Sequence, residues 1–426
     1  MKLYCVTLGC AKNRIDTEMI LSCFPKGTRV VDSAKGADLI LINTCAFILS
    51  AKKESIGVIL DCAASNPKAK LVVCGCLATR YLEDIKKEIP EIDRLIPIKD
   101  YNELPKILTE LTGESFSPIR MQSRVLTTIP HTAYLKISEG CDNFCSFCAI
   151  PYIRGRFASR PFEEIIEEAK SLLSRDVREI SIISQDTTVY GSDFPHKKPD
   201  IVDLLRALEG LGFYSIRLLY LYPSEISKEL IDLIADSRVI CHYFDIPIQS
   251  ASDKLLRLMN RHGGKKEMED LFAYIRHRCP DAVIRTTLIA GFPGESEEDV
   301  EETIDFLKKQ RFDHMGCFAY SREEGTAAYS LPNQVDEREK ERRRDRLMEC
   351  QAEISEQLNK ARIGQVLEGM VIGKSDKGYL LSTAYNAPDD IDGGVYMDSP
   401  KMHEIGDIAK VRISSRGPYD LFGVEV

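Results

Sequence analysis

The feature that most constrains this chain is a set of three cysteines within eight residues, at Cys141, Cys145 and Cys148. Four-iron clusters of iron and sulfur take four soft thiolate ligands, and no fourth cysteine completes this C-x3-C-x2-C run. A metal site that lacks one protein ligand keeps a coordination position open for a substrate or cofactor. The alternatives are a zinc loop short of one ligand and three unrelated core cysteines. The spacing favours a catalytic iron–sulfur loop.

Length, charge and cysteine content limit the possible classes of protein. A chain of 426 residues is too long for one ordinary core and predicts two or three domains. It has no run of about 18 apolar residues, and its first residues lack the features of a signal peptide. Fourteen cysteines without a secretory signal favour metal or redox chemistry in the cytoplasm. The net charge of −9 gives no general support to nucleic-acid binding.

Up to about residue 118, short apolar runs alternate with helical patterns. Strands are predicted at the first residues and at 30–31, 39–42 and 71–74, and helices at about 46–63, 81–88 and 103–111. This alternation predicts a parallel sheet covered on both faces. Residues 112–129 are polar and without periodicity, which predicts a linker.

Residues 130–333 repeat a strand followed by a helix six times. The predicted strands are 134–138, 180–184, 216–221, 243–248, 283–289 and 315–320. Ser296 with Asp299 predicts the start of one of the helices. Six such units with right-handed crossovers predict a partial barrel, whose chemistry lies at the carboxyl ends of its strands. The Cys141 loop directly follows the first of these strands.

The last part of the chain combines a charged helix with a small β domain. Residues 335–362 predict a solvated connecting helix. Strands at 366–372, 378–381, 394–397, 408–414 and 421–426 predict a five-stranded barrel of the OB or a related type. The predicted fold class is α/β: an N-terminal parallel αβ domain, a central partial (β/α)6 barrel and a C-terminal β-barrel.

A second set of cysteines follows strand ends in the N-terminal segment: Cys10, Cys45 and Cys76. Loops after parallel strands meet at one edge of a sheet, so these three thiols can converge on one metal site. We call them the dispersed cysteines, and Cys141, Cys145 and Cys148 the loop cysteines. Buried core cysteines are the alternative, and Cys74 is an alternative ligand to Cys76. The remaining cysteines are predicted to pack in cores: Cys5, Cys23, Cys62, Cys241, Cys279, Cys317 and Cys350.

With both sets in view, the whole chain resembles the methylthiotransferases of the radical S-adenosylmethionine (SAM) superfamily. Besides the loop cysteines, the resemblance is carried by Thr7-Leu-Gly-Cys-Ala-Lys-Asn13, Ile42-Asn-Thr-Cys-Ala46, Gly75-Cys-Leu77, Pro151-Tyr-Ile-Arg-Gly-Arg156, Ser159-Arg-Pro161 and Gly291-Phe-Pro-Gly-Glu295. It implies a methylthiotransferase domain at 1–118, a radical SAM core with its connecting helix at 127–357 and a TRAM-like barrel at 360–426.

The resemblance also implies the cofactors and their ligands. The dispersed cysteines would hold an auxiliary [4Fe–4S] cluster, and the match at Gly75-Cys76 favours Cys76 over Cys74. The loop cysteines would hold a second [4Fe–4S] cluster that binds SAM. No catalytic side chain is expected beyond these ligands, and the expected SAM contacts are Phe147, Gln185 and Gly291.

Two branches of this family differ in substrate. One modifies the β-carbon of an aspartate in a small-subunit ribosomal protein, and the other modifies an adenosine in transfer RNA. Residues 9–13, 184–187, 190–191 and 386–393 resemble the first, RimO-type branch, although Ala11 stands where proline is common. Residues 360–426 contain 8 Lys and Arg against 10 Asp and Glu, and this net charge of −2 suits a basic protein partner better than RNA. Asp389, Asp390 and Asp392 are expected to face that partner.

The chemistry implied by the resemblance needs a radical, because the C–H bond at an aspartate β-carbon is not activated. One SAM would methylate sulfur on the auxiliary cluster, and the radical from a second would abstract the β-hydrogen. The expected partners are the ribosomal protein or the assembling small subunit and a low-potential electron donor such as flavodoxin or ferredoxin, with no membrane. The alternatives are transfer-RNA methylthiolation, a non-catalytic iron–sulfur carrier and an RNA-binding protein with structural clusters.

Overall fold

A computed structural model describes residues 1–389 and 391–426, which divide into two compact units. The unit that we call the cysteine unit comprises Met1–Thr127, Ser138–Leu172 and Ser321–Tyr329. The barrel unit comprises Thr128–Ile137, Leu173–Tyr320 and Ser330–Val426. Both cysteine sets belong to the cysteine unit. The domain limits at 1–118, 127–357 and 360–426 stay a prediction.

The N-terminal residues form the predicted parallel sheet with helices between its strands. The strands are β1 (Lys2–Thr7), β2 (Arg29–Val30), β3 (Leu39–Thr44), β4 (Lys70–Gly75) and β5 (Arg94–Ile96). The helices are α1 (Ala11–Leu21), α2 (Leu49–Ser65), α3 (Cys76–Arg80), α4 (Leu82–Glu88) and α5 (Leu104–Thr112). The strand order is β2-β1-β3-β4-β5. Helix α1 lies outside the predicted elements because its buried residues include Asn13, Asp16 and Glu18, so no apolar stripe marks it.

Strand β3 explains why this sheet has apolar cores on both faces. All of its residues are buried. Leu39 and Leu41 point into one core, whereas Ile40 and Ile42 point into the other. A continuous apolar run of this kind is typical of a parallel strand that is covered on both faces.

The next segment leads into and out of the loop cysteines. Its elements are β6 (Thr132–Lys136), β7 (Ser138–Glu139), α6 (Ile150–Arg154), β8 (Ala158–Ser159) and α7 (Phe162–Ser174). Strands β7 and β8 pair antiparallel, with Ser138 opposite Ser159. This pairing brings together the chain segments before and after the cysteine loop.

The predicted linker at residues 112–129 is held by a buried arginine. The Arg124 side chain is fully buried and forms ion pairs with Glu18 and Glu168, and its Nε lies 2.9 Å from Glu168 Oε1. A buried charge without a partner costs several kcal/mol, so the two carboxylates fix this segment on the cysteine unit. The linker is therefore packed rather than solvated at this point.

The six predicted strand–helix units are present and include β6 as the first strand. The further strands are β9 (Glu179–Ile183), β10 (Ser215–Leu218), β11 (Tyr243–Asp245), β12 (Val283–Ala290) and β13 (His314–Ala319). The helices are α8 (Ile201–Glu209), α9 (Lys228–Asp236), α10 (Asp253–Leu258), α11 (Lys265–Arg278), α12 (Glu297–Gln310) and α13 (Glu337–Ala361). The parallel sheets β10-β9-β6 and β11-β12-β13 are linked where the Leu221 N–H donates to the Asp245 carbonyl at 2.9 Å.

Ser296 and Asp299 form a capping box at the start of α12, which confirms the helix start predicted there from the sequence.

Helix α13 is not the solvated connecting helix that its charge predicted. One face is buried and includes Leu347, Cys350 and Ile354. The Gln351 side-chain amide donates to the Phe312 carbonyl at 2.6 Å, in the barrel unit. Its apolar residues recur at helical spacing between the charges and form the buried stripe, which the run of charges hides in the sequence.

Among the described residues, no helix has the length and apolarity needed to cross a membrane.

The C-terminal strands form the predicted closed barrel. They are β14 (Val366–Ser375), β15 (Gly378–Thr383), β16 (Val395–Asp398), β17 (Ile408–Arg416) and β18 (Leu421–Glu425). The strand order is β14-β15-β16-β18-β17. Burial in β17 alternates along the strand, with Ala409, Val411 and Ile413 inside. This alternation is the pattern of a strand with one face toward the barrel core.

The expectation of three aspartates facing a partner is wrong for Asp392. Its side chain is buried and accepts hydrogen bonds from Arg285 Nε at 3.0 Å, the Ala387 N–H at 2.9 Å and the Tyr243 hydroxyl. Asp389 is exposed and accepts from the Tyr134 hydroxyl at 2.5 Å. Asp390 lies outside the described residues. Asp392 therefore packs the C-terminal barrel against strands β11 and β12 within the barrel unit.

Candidate functional site

The register of the N-terminal sheet brings the dispersed cysteines to one edge. Thr7 of β1 is paired with Asn43 of β3, and Asn43 is paired with Cys74 of β4. Cys45 and Cys76 lie two residues beyond Asn43 and Cys74, and Cys10 lies three beyond Thr7. Because the three strands are neighbours and end level, their following loops meet, as the sequence predicted.

The turns that carry the dispersed cysteines depend on glycine. Gly9 has φ +89°, and a Cβ there would lie 3.0 Å from the Cys45 Sγ. Gly75 has φ +94°, and a Cβ there would lie 2.2 Å from the Asn43 Oδ1. Only glycine adopts these conformations at low cost and lets the chains approach so closely. Any larger residue at position 9 would therefore crowd the Cys45 side chain.

Asn13 of α1 links the three loops by hydrogen bonds. Its Nδ2 donates to the carbonyls of Leu8 at 2.8 Å and Thr44 at 2.9 Å. Its Oδ1 lies 3.6 Å from the Cys76 Sγ. In return, the Asn43 side chain donates to the Asn13 carbonyl at 2.8 Å. One side chain thus contacts the ends of β1, β3 and β4 together.

Arg154 approaches the same place from the segment after the loop cysteines. Its Nη2 lies 2.6 Å from Asn13 Oδ1, 2.9 Å from Asp16 Oδ2 and 3.8 Å from the Cys76 Sγ. Its Nη1 lies 3.0 Å from the Oε1 of Glu139, which stands two residues before the first loop cysteine. Arg154 therefore contacts both cysteine regions within the cysteine unit.

Burial opposes ionisation of two of the dispersed cysteines. It raises the pKa of the Cys76 thiol to about 12, although the Arg154 guanidinium acts to lower it. Burial also raises the pKa of Cys45, and the nearby Cys10 adds to this shift. A metal binds the thiolate, so metal binding at these residues would have to displace protons.

Cys74 lies in a different environment from Cys76. It is a fully buried residue of β4 in the core that contains Leu3, Val72 and Tyr101. Cys76 begins α3 after the turn at Gly75. The strand therefore ends before Cys76, as expected from the sequence, and Cys74 fills a core position.

The loop cysteines lie in an irregular segment between β7 and α6. The Cys141 N–H donates to the Gly155 carbonyl at 3.3 Å, and the Cys148 N–H donates to the Cys145 carbonyl at 2.9 Å. All three residues are half-buried. Gly140 has φ +73°, and a Cβ there would lie 2.1 Å from the Arg156 carbonyl oxygen, so glycine permits this close turn.

Aromatic and charged side chains surround this loop. The Arg156 guanidinium lies 5.0 Å from the centre of the Phe144 ring, and Tyr152 packs edge-on to the same ring at 6.4 Å. Arg156 Nε also pairs with Asp142 at 2.8 Å. Tyr152 remains 61% exposed, so the loop presents an aromatic surface beside its cysteines.

The predicted SAM contacts lie in both units and stay a prediction. Phe147 is half-buried between the second and third loop cysteines, in the cysteine unit. Gln185 is half-buried after the carboxyl end of β9, and Gly291 follows the carboxyl end of β12. The Gly291 N–H donates to Glu295 Oε2 at 2.7 Å. Both barrel residues lie where barrel enzymes place their chemistry.

The donor sets fit the cofactors that the sequence implied. Two groups of three thiols suit iron–sulfur clusters that each keep one iron without a protein ligand. The cation of Arg154 near Cys76 suits an anionic group at the dispersed cysteines. The sequence motifs contained Asn13 and Arg154 without assigning them a role, since contacts across the fold are not visible in spacing.

Three family descriptions match successive parts of the chain. Residues 2–97 match Uncharacterized protein family UPF0004, residues 135–307 match the Radical SAM superfamily, and residues 363–426 match the TRAM domain. Together with the six strand–helix units and the closed C-terminal barrel, these matches define a radical SAM enzyme.

Relatives along nearly the whole chain identify the family. A protein of Clostridium botulinum is 43% identical over 437 residues, which cover 99% of this chain and 98% of the relative. One of Pelotomaculum thermopropionicum is 44% identical over 447 residues, covering 100% and 99%. Both are named ribosomal protein uS12 methylthiotransferase RimO. The chain belongs to this RimO family, which confirms the RimO-type expectation and implies SAM and two [4Fe–4S] clusters as cofactors.

Solved structures support the fold. The radical SAM methyltransferase TsrM of Kitasatospora setae matches with a TM-score of 0.53 and 15% identity, covering 77% of this chain and 76% of that chain. The cobalamin-dependent radical SAM enzyme OxsB matches with a TM-score of 0.51 and 12% identity, covering 84% and 56%. At these identities the likeness concerns the fold alone.

Proposed function

We propose that this chain transfers a methylthio group to the β-carbon of an aspartate in ribosomal protein uS12, the substrate in the names of its relatives. Beyond the family, one observation supports the proposal. Arg154, which follows the loop cysteines, lies 3.8 Å from the Sγ of the dispersed cysteine Cys76. Arg154 therefore connects the two cysteine sets, which both belong to one compact unit. This arrangement suits a reaction that uses two clusters.

The protein's own residues would bind and orient the cofactors. The loop cysteines would hold the cluster that binds SAM, and the dispersed cysteines would hold the auxiliary cluster. When bound, these groups supply the radical and the methylthio sulfur that an unactivated C–H bond requires. Gly9 lets its turn lie close to the Cys45 side chain, and Asn13 holds the three strand ends together. Phe147, Gln185 and Gly291 would contact SAM.

The proposed setting is the cytoplasm, where the small ribosomal subunit assembles. The substrate would be uS12, either free or on the assembling subunit. A low-potential donor such as flavodoxin or ferredoxin would supply the electrons, since reductive SAM cleavage needs a strong reductant.

The test compares cells with the wild-type chain, without it, and with the Cys76→Ala variant. We expect peptide mass spectrometry to find a methylthio group on an aspartate of uS12 only with the wild-type chain. Nucleoside analysis of transfer RNA from the same cells should show no difference. Unmodified uS12 together with a methylthioadenosine that depends on this chain would contradict the proposal and support the transfer-RNA alternative.

A further inference from the structure

We infer that Arg154 raises the reduction potential of the auxiliary cluster, because its positive charge compensates negative charge at the dispersed cysteines. This inference rests on the proposed function, because it requires that Cys76 binds iron. It concerns a residue that touches no substrate: Arg154 would act through Cys76 and is a positioning residue.

The geometry places the Arg154 charge firmly beside Cys76. The side chain is 2% exposed, and its Nη2 lies 3.8 Å from the Cys76 Sγ. Contacts to Asn13 at 2.6 Å, Asp16 at 2.9 Å and Glu139 at 3.0 Å hold the guanidinium in this position. A charge that is buried and held by three acceptors acts at a fixed distance, with little screening by water.

An iron–sulfur cluster becomes more negative when it gains an electron. A fixed positive charge beside one of its thiolates therefore favours the reduced form, and a fixed negative charge disfavours it. Arg154 and Asp16 are both 2% exposed and form an ion pair. Neutralising one or the other changes the local charge by one unit in opposite directions.

This pairing gives a test that separates charge from structure. The experiment uses the full chain with the loop cysteines changed to Ala, so that only the auxiliary cluster is reconstituted. Iron content and the midpoint potential are measured by reductive titration with dithionite, followed by electron paramagnetic resonance. The variants in this background are Arg154→Gln, Asp16→Asn and the two combined. The matched control is Arg124→Gln, which removes another buried arginine of the cysteine unit that pairs with Glu18 and Glu168.

We expect Arg154→Gln to lower the midpoint potential and Asp16→Asn to raise it. Each change should alter the reduction equilibrium at least tenfold, which is about 59 mV for one electron. The combined variant should lie between the two, and Arg124→Gln should leave the potential unchanged.

The outcomes distinguish this inference from the proposed function. A background chain without iron after reconstitution would contradict the auxiliary site and the inference with it. An iron-loaded background in which Asp16→Asn leaves the potential unchanged, or shifts it in the same direction as Arg154→Gln, would overturn the inference alone. If Arg154→Gln loses its iron, the comparison of Asp16→Asn with the combined variant decides. A midpoint potential of Asp16→Asn that is not higher than that of the combined variant would overturn the inference.

Discussion

The two cysteine sets of this chain reach their sites by opposite routes. The loop cysteines lie within eight residues, in one irregular segment between β7 and α6. The dispersed cysteines extend from residue 10 to residue 76, and only the order and register of β1, β3 and β4 bring them together. A local motif can therefore be recognised from spacing, whereas a dispersed site depends on the whole sheet.

Nearness in sequence is nevertheless no guarantee of a shared site. Asp389 and Asp392 are three residues apart, and the first is exposed while the second is buried against Arg285. The three loop cysteines lie together because they share one short segment between β7 and α6. For the two aspartates, the local packing decides where each side chain lies.

The largest expected effect comes from removing the local set. Wild-type chain reconstituted without oxygen should carry about eight irons in two clusters. Changing Cys141, Cys145 and Cys148 together to Ala should leave about four irons, because the sheet that assembles the dispersed set is untouched. SAM cleavage should be abolished. Iron analysis and chromatography of the cleavage products check this, and retained cleavage would refute the role of the loop.

Next in size is the effect of removing one dispersed cysteine. Cys76→Ala should lose the auxiliary iron and methylthio transfer but keep SAM cleavage at the loop cysteines. Cys74→Ala, its matched control, should keep both and lose only about 1–2 kcal/mol of unfolding free energy from its core. Iron content, cleavage assays and denaturant titration measure these effects. The reversed pattern would show that the register assigned to the dispersed ligands is wrong.

The sequence predicts those features of the fold that one physical rule dominates. The alternation of apolar runs predicted the parallel sheet, and the strand ends predicted that Cys10, Cys45 and Cys76 meet at one edge. Sequence patterns do not predict an element whose buried residues are decided by packing across the fold. Helix α1 buries Asn13 and Asp16, because these polar side chains find partners on other elements, and no periodicity marks such a helix.

Charge was the least reliable guide. The charge run in α13 predicted a solvated helix, but the apolar residues between the charges pack into the barrel unit. The net charge of the C-terminal segment likewise says nothing about which carboxylates are exposed. The charge of Arg154 likewise does not reveal its partner, since its contact with Cys76 joins residues 78 positions apart.

A smaller effect should separate the two neighbouring aspartates by stability. Asp392→Asn should lower the unfolding free energy by about 3 kcal/mol, because it leaves the Arg285 guanidinium without one of its buried partners. Burial acts to raise the pKa of Asp392, but His314 and Arg285 hold it below its usual value. This carboxylate therefore stabilises the fold above a pH of about 4 and loses its effect as the pH falls through the lowered pKa. Denaturant titrations of both proteins should converge toward acid pH, and a constant difference would contradict this account.

The smallest expected effect concerns Asp389, whose charge is exposed. If it attracts a basic region of uS12, Asp389→Asn should slow modification slightly and Asp389→Lys a few-fold, since exposed charges mainly change association rates. The order should be clear at low salt and fade at physiological salt, where the screening length is about 8 Å. Tyr134→Phe is the matched control, because it removes the hydrogen bond to Asp389 and keeps the charge. Rates of uS12 modification measured across salt concentrations check this, together with SAM cleavage without substrate, which should not change. A salt-independent loss shared by Tyr134→Phe would mean that Asp389 acts through local packing, as Asp392 does, and not through attraction to the partner.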